Sequence, residues 1–345
     1  MLNINKLISI SLLYAASSNA VLAYNTNPID ENASDFRGQI LIQIEDENVY
    51  QQSFGQTDSQ DHSPIDDQTL FYIGSIAKTF TSTAVLQLVN EDQLSLDDPI
   101  GEHLEDVPSD KRDITIRNLL SHMSGLVANH EDPLLQLDKD EFIEWALGTK
   151  LEAEPGTQWS YSNVGYGLLA AIIEQAESKP FRQVIYDRIF EPAGMKNALY
   201  FSELTGDEHV AVGYGPMADD FKFNGDVRSL SPTWLRMGAG GILCTAQDLA
   251  AFHQALQSET ILSMDQQKLA GTPVANRYGL GWRTATSSRG TPTMYHDGAF
   301  PGFNAEFFRL PIENVCIIIL AADEQAAREM RSVVLEYAKG LFEDE

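Results

Sequence analysis

Apolar and polar positions alternate through residues 38–55, GQILIQIEDENVYQQSFG, on both sides of the polar turn EDEN. A period of two belongs to a strand, and the pattern predicts a β-hairpin. From residue 75 the period lengthens, and SIAKTFTSTAVLQLVNEDQL places Ile76, Phe80, Ala84 and Leu88 on one stripe of a helix. Residues 114–126, 139–148, 164–178 and 180–195 keep helical spacing, which makes 91–234 an α-rich stretch. After GAGGIL, Thr245 and Asp248 form a capping-box pattern that opens a helix over AQDLAAFHQAL. Strand-like runs return in YGLGWRTA, TPTMYHDG, GFNAEFFRLP and NVCIIILAA, and a helix over 323–342 closes the chain. The expected class is α+β. An antiparallel sheet flanked by N- and C-terminal helices forms from residues 38–90 and 235–345, with an α-helical domain over 91–234 inserted in it.

With 345 residues, 43% of them hydrophobic, the chain can bury a sizeable core. It opens with MLNINKLISISLLYAASSNAVLA, which holds one positive charge at Lys6, a short apolar run and a small-residue ending. These features predict a signal peptide over 1–23 cut near Ala23, a flexible polar leader over 24–37, and a secreted or periplasmic protein without a membrane anchor. The formal net charge is −27. A surface of that sign repels phosphate backbones, so nucleic acid is not an expected partner. Cys244 and Cys316 lie in apolar runs and read as buried thiols, with their pairing left open. The seven histidines include no HExxH, and neither metal nor cofactor is expected.

Candidate chemistry begins with Ser75 and Lys78. Three apart on a helix, they share a face. Their neighbours Phe71, Ile73, Ile76, Ala77 and Phe80 are apolar, so Lys78 is expected to be partly buried, where an amine more easily loses its proton or holds a neighbouring anion. Ser75 also falls at a helix start, where free backbone N–H groups welcome an oxyanion. Two further triplets join them: Tyr161-Ser162-Asn163 and His296-Asp297-Gly298.

With these three motifs the chain resembles the serine β-lactamase and penicillin-binding-protein-like family, in its class C β-lactamase, D,D-peptidase and esterase branch. LFYIGSIAKTFTSTAVLQLVNEDQLSLDDPI, ITIRNLLSHMSGL, PGTQWSYSNVGYGLL, GGILCTAQDLAAF and HDGAFPGFNAEF all look like family segments in the family's order. The chemistry implied is acyl transfer. Ser75 attacks a carbonyl, Lys78 and Tyr161 take its proton, and Tyr161, its pKa lowered by the adjacent ammonium, returns one to the leaving group. The resemblance further implies that the N–H groups of Ser75 and Ala299, beside Gly298, form an oxyanion hole, and that Asn163 orients Lys78 and the substrate amide. Asn163 can equally be the N-cap of the following helix, and His296 a satisfied strand histidine. At the third motif His296 replaces the lysine of β-lactamases, and Asp297 replaces a hydroxyl residue that meets a substrate carboxylate. A free carboxylate at 297 repels an anionic substrate. An amide, peptide or ester, a cell-wall peptide among them, is therefore expected ahead of a β-lactam. The competing reading is a catalytically degenerate binding or regulatory module.

Overall fold

The computed structural model describes residues 27–57, 62–132, 134–215 and 225–343. The signal-like segment 1–23 lies outside them. The hairpin forms as β1 (Gly38–Ile44) and β2 (Glu47–Phe54), with a turn tighter than EDEN: Ile44 pairs with Glu47, and Glu45 takes a φ of +55°. β1 is an interior strand. With β6 (Arg283–Thr286), β7 (Pro292–Phe300), β8 (Phe303–Leu310) and β9 (Val315–Ala321) the hairpin makes a six-stranded sheet of order β2-β1-β9-β8-β7-β6, antiparallel at every pairing. A small sheet, β3-β5-β4, joins Phe71–Tyr72, Ile242–Cys244 and Leu199–Tyr200.

The turn Gly74–Ile76, packed on β7 and β8, leads into a central helix, α2 (Ala77–Asn90), within the larger core cluster. Its stripe of Ile76, Phe80, Ala84 and Leu88 is fully buried, but so are Lys78, Thr79 and Ser82 on its other sides. A helix buried all round must satisfy its hydroxyls locally. Thr79 donates to the Ile76 carbonyl, Thr81 to that of Gly238 and Ser82 to that of Leu280. The α-rich stretch supplies α3 (Ile116–Leu120), α4 (Lys139–Gly148), α5 (Asn163–Glu177) and α6 (Phe181–Ile185). α3 is shorter than the 114–126 periodicity suggests, because the chain turns at His122 with a φ of +60°. The Thr245–Asp248 capping box opens α7 (Ala246–Gln257), and α8 (Met264–Ala270) follows.

On the outer face, α9 (Glu324–Glu343) covers Ile40, Ile42, Ile317 and Ile319. Residues 27–37 correct the expectation of a flexible leader. Asn27 caps a short helix, α1 (Pro28–Asn32), whose Ile29 is buried with Phe36 in the same cluster as α9. Burying two such side chains stabilises by about 1.5–3 kcal/mol each, enough to hold a polar-looking segment down. Cys244 on β5 and Cys316 on β9 are buried free thiols.

Candidate active site

The motif residues meet where the start of α2 touches the end of β7. Gly74, with φ +53°, opens a tight turn over Gly74–Ile76 that leads into α2. A Cβ at Gly298 would lie 1.9 Å from the Ile73 carbonyl oxygen and 3.1 Å from the Ser75 nitrogen; one at Gly74 would lie 2.7 Å from the Ala299 nitrogen. Glycine at both places lets the two backbones touch. The amides of Ser75 and Ala299 thus border one crevice, and both residues line a cleft of about 370 Å³ with Tyr72, Phe142, Leu235 and Phe300.

Lys78 is fully buried, its Nζ 3.0 Å from Ser75 Oγ and 2.9 Å from the Ala239 carbonyl oxygen. These partners are a hydroxyl and a carbonyl, not a carboxylate. Burial drives the amine far below the usual lysine range; Asp297 opposes the shift and Arg283 adds to it. Tyr161 completes the group. Its hydroxyl interacts with the Ser75 side chain, and Lys78 Nζ lies 4.9 Å from its ring centre. Here the expectation of a lowered phenol pKa is corrected: burial raises it, and the interaction with Ser75 offsets only part of the rise. The same burial that disfavours the charged form of Lys78 disfavours the phenolate of Tyr161.

Asn163 is the first residue of α5, and the cap is Ser162, whose Oγ accepts the Gly165 N–H. Asn163 borders the cleft; its Nδ2 donates to Asn129 Oδ1 at 2.5 Å, and its Oδ1 is buried and has no partner. Its polar contact is Asn129, not Lys78. His296 is completely buried with both nitrogens engaged: Nδ1 donates to the Asp297 carbonyl at 2.7 Å, and Nε2 accepts the Tyr278 hydroxyl at 3.0 Å. Burial holds its pKa down at about 3, so the ring is neutral. It is a satisfied strand histidine that meets the site through Tyr278.

Asp297 lies on the opposite face of β7, opposite Glu306 of β8. Its Oδ1 sits 2.6 Å from Arg283 Nε, in ion contact though without hydrogen-bond alignment. The expected free carboxylate is therefore corrected to a paired one. The Arg283 guanidinium also lies 5.8 Å from the Tyr161 ring centre and 5.9 Å from that of Tyr278. Arg283, Tyr278 and the Ala239 carbonyl escape sequence reasoning; the glycine-rich GAGGIL run was the one local sign of a backbone brought close.

Among the described residues no cluster of His, Cys, Asp and Glu could hold a metal, and no helix is long and apolar enough to cross a membrane. The family model for Beta-lactamase matches residues 33–339. The chain belongs to the beta-lactamase family. PbpX of Bacillus subtilis, which bears a penicillin-binding name, is 31% identical over 270 residues, covering 78% of this chain and 66% of that protein. Penicillin-binding protein 4* of the same organism is 27% identical over 333 residues, covering 89% of this chain and 72% of the other. This chain thus spans about two thirds of PbpX and somewhat more of protein 4*. Among solved structures, the penicillin-binding protein of Bacillus halodurans superposes with a TM-score of 0.77 at 22% identity, over 91% of this chain and 100% of that one. The D-amino acid amidase of Ochrobactrum anthropi SV3 gives 0.78 at 24% identity, over 91% and 97%. These two share the fold.

Proposed function

We propose that this family member is an exported serine hydrolase that works through an acyl-enzyme on an amide, peptide or ester, in the manner of a D,D-peptidase or esterase. One observation carries the reading: Lys78, fully buried beside Ser75 at 3.0 Å, with a hydroxyl and a carbonyl and no carboxylate as its hydrogen-bond partners. As a neutral amine it takes the Ser75 proton while Oγ bonds to the substrate carbonyl carbon. The resulting oxyanion receives the N–H groups of Ser75 and Ala299. When the tetrahedral species collapses, the scissile bond breaks and the leaving group takes the Tyr161 proton, which Lys78 then replaces. Water attacks the ester by the reverse path. Asn163 borders the cleft, and on this reading a turn of its side chain brings the buried, unpartnered Oδ1 to a substrate N–H, which favours amides.

The Arg283–Asp297 pair supports a second reading, β-lactam hydrolysis, since a compensated carboxylate repels an anionic substrate much less than a free one. A panel of a chromogenic cephalosporin, a D-Ala-D-Ala peptide and p-nitrophenyl esters, run on wild type and Ser75→Ala, separates the two. Turnover of peptide or ester that disappears with Ser75, and a fluorophosphonate adduct on Ser75, is the expected result. An adduct on another serine with Ser75→Ala still active overturns the mechanism, and a silent protein that merely binds returns the degenerate-module reading.

A further inference from the structure

One buried group beside the reacting atoms has no part in the steps above. His122 ends the α3 turn in a left-handed conformation that a residue with a Cβ adopts reluctantly, so its placement is held by its surroundings. That turn lays it alongside residues 160–162. The His122 carbonyl accepts the Ser160 N–H at 2.9 Å, and its Nδ1 accepts the Ser162 N–H at 3.1 Å. The two bonds fall on the residues immediately before and after Tyr161. Between them the imidazole lies against the phenol, ring centres 4.2 Å apart and planes tilted by 36°. Ser162 is further fixed by donating its Oγ proton to the Val127 carbonyl at 2.7 Å.

An Nδ1 that accepts must be unprotonated, which puts the ring hydrogen on Nε2. Burial keeps the imidazole neutral and so preserves the acceptor. Nε2 is buried without a partner, so the bond from the Ser162 N–H is the one hydrogen bond the ring makes. We propose that His122 is a positioning residue for Tyr161, gripping the backbone on both sides of it and backing its ring so that the phenol hydroxyl stays on Ser75. The proposal rests on the reading of Tyr161 as the proton donor.

A double-mutant cycle on the full chain tests it, with p-nitrophenyl butyrate as substrate and thermal melts confirming that each variant is folded. His122→Phe keeps a ring and removes the acceptor. The expected result is a fall in kcat of roughly 10-fold to 100-fold with KM within about threefold, since misplacing a proton donor by about 1 Å is felt in the transition state. His122→Asn puts Oδ1 where Nδ1 was and tolerates the left-handed backbone, and it should recover most of that loss. In a Tyr161→Phe background, His122→Phe should cost less than about threefold. Losses that multiply, with Tyr161→Phe itself slow, overturn the positioning role and leave Tyr161 as donor. Wild-type turnover by Tyr161→Phe overturns both. If His122→Phe does not fold, His122→Gly, which suits the backbone and lacks the acceptor, takes its place in the same cycle.

Discussion

Among the described lysines and arginines two are buried completely, Lys78 and Arg309, and their surroundings part them. Lys78 on α2 has a hydroxyl and a carbonyl within reach. Arg309 on β8 donates its Nε to His253 Nδ1 at 3.0 Å and its Nη2 to Gln257 and Gln267 at 3.1 and 3.2 Å, with its guanidinium over the Trp282 ring. Neither makes an ion pair among the described residues. Burial lowers the pKa of both: it drives the amine, ordinarily near 10.5, far down toward its neutral form, and brings Arg309 to about 9, which leaves the guanidinium cationic at neutral pH. A guanidinium can spread one charge over several neutral acceptors; an ammonium concentrates it. On the proposed reading the fold keeps one base for chemistry, while the other holds α7 and α8 to the sheet.

The largest effect expected from breaking this contrast is at Lys78. Lys78→Met should lower acylation roughly 10³-fold to 10⁴-fold, read by steady-state kinetics, while the melting temperature holds or rises because a buried amine is gone. Lys78→Arg should give no rescue, since a guanidinium keeps its proton. The opposite profile is expected at Arg309. Arg309→Met strands the acceptors of Gln257, Gln267 and His253 and should destabilise by about 1–3 kcal/mol in a denaturant titration, with kcat of the folded protein unchanged. A loss of turnover there would join the two regions that the comparison separates.

Acidity sharpens the same contrast. A base with a depressed pKa becomes competent as pH rises through that lowered value, so the acylation rate should climb along one limb centred well below 10.5. Stability linked to Lys78 runs the same way: the unfolded chain binds the proton more readily, so falling pH favours unfolding across that window. A limb at the ordinary lysine value would show that burial leaves the amine charged.

The smallest effect concerns a buried acid. Glu306 on β8 is raised to about 7, chiefly by burial, with Arg331 3.5 Å away lowering it and Asp297 raising it. A carboxyl whose folded pKa is raised contributes stability below its unfolded value near 4.5 and loses it as pH climbs through 7. Glu306→Gln should therefore raise the melting temperature by about 2–4 °C at alkaline pH and not at pH 4.5, by calorimetry. Equal shifts at both pH values would reject a titration origin.

Much of this was legible one segment at a time. The spacing of Ser75 and Lys78 set them on one helical face, alternation marked the strands, and Thr245 with Asp248 announced a helix start, because each depends on neighbours within a turn or a strand. Local polarity misled at residues 27–37, where Ile29 and Phe36 sit in a polar run and find their partners on a sheet formed from both ends of the chain. It was silent about α2 as well, whose hydroxyls are satisfied by carbonyls as distant in sequence as Gly238 and Leu280.

By itself the sequence determined which groups could do chemistry: a serine, a lysine and a tyrosine in motifs that mark the family, with glycines where backbones must touch. Tertiary structure decided the state those groups are in. Desolvation from all sides, not a neighbouring charge, sets Lys78 low and Tyr161 high. Arg283 compensates Asp297, Tyr278 occupies His296, and His122 brackets Tyr161. Charge state follows the whole environment within several ångströms, which residues far apart in sequence supply together, and no period along the chain encodes it.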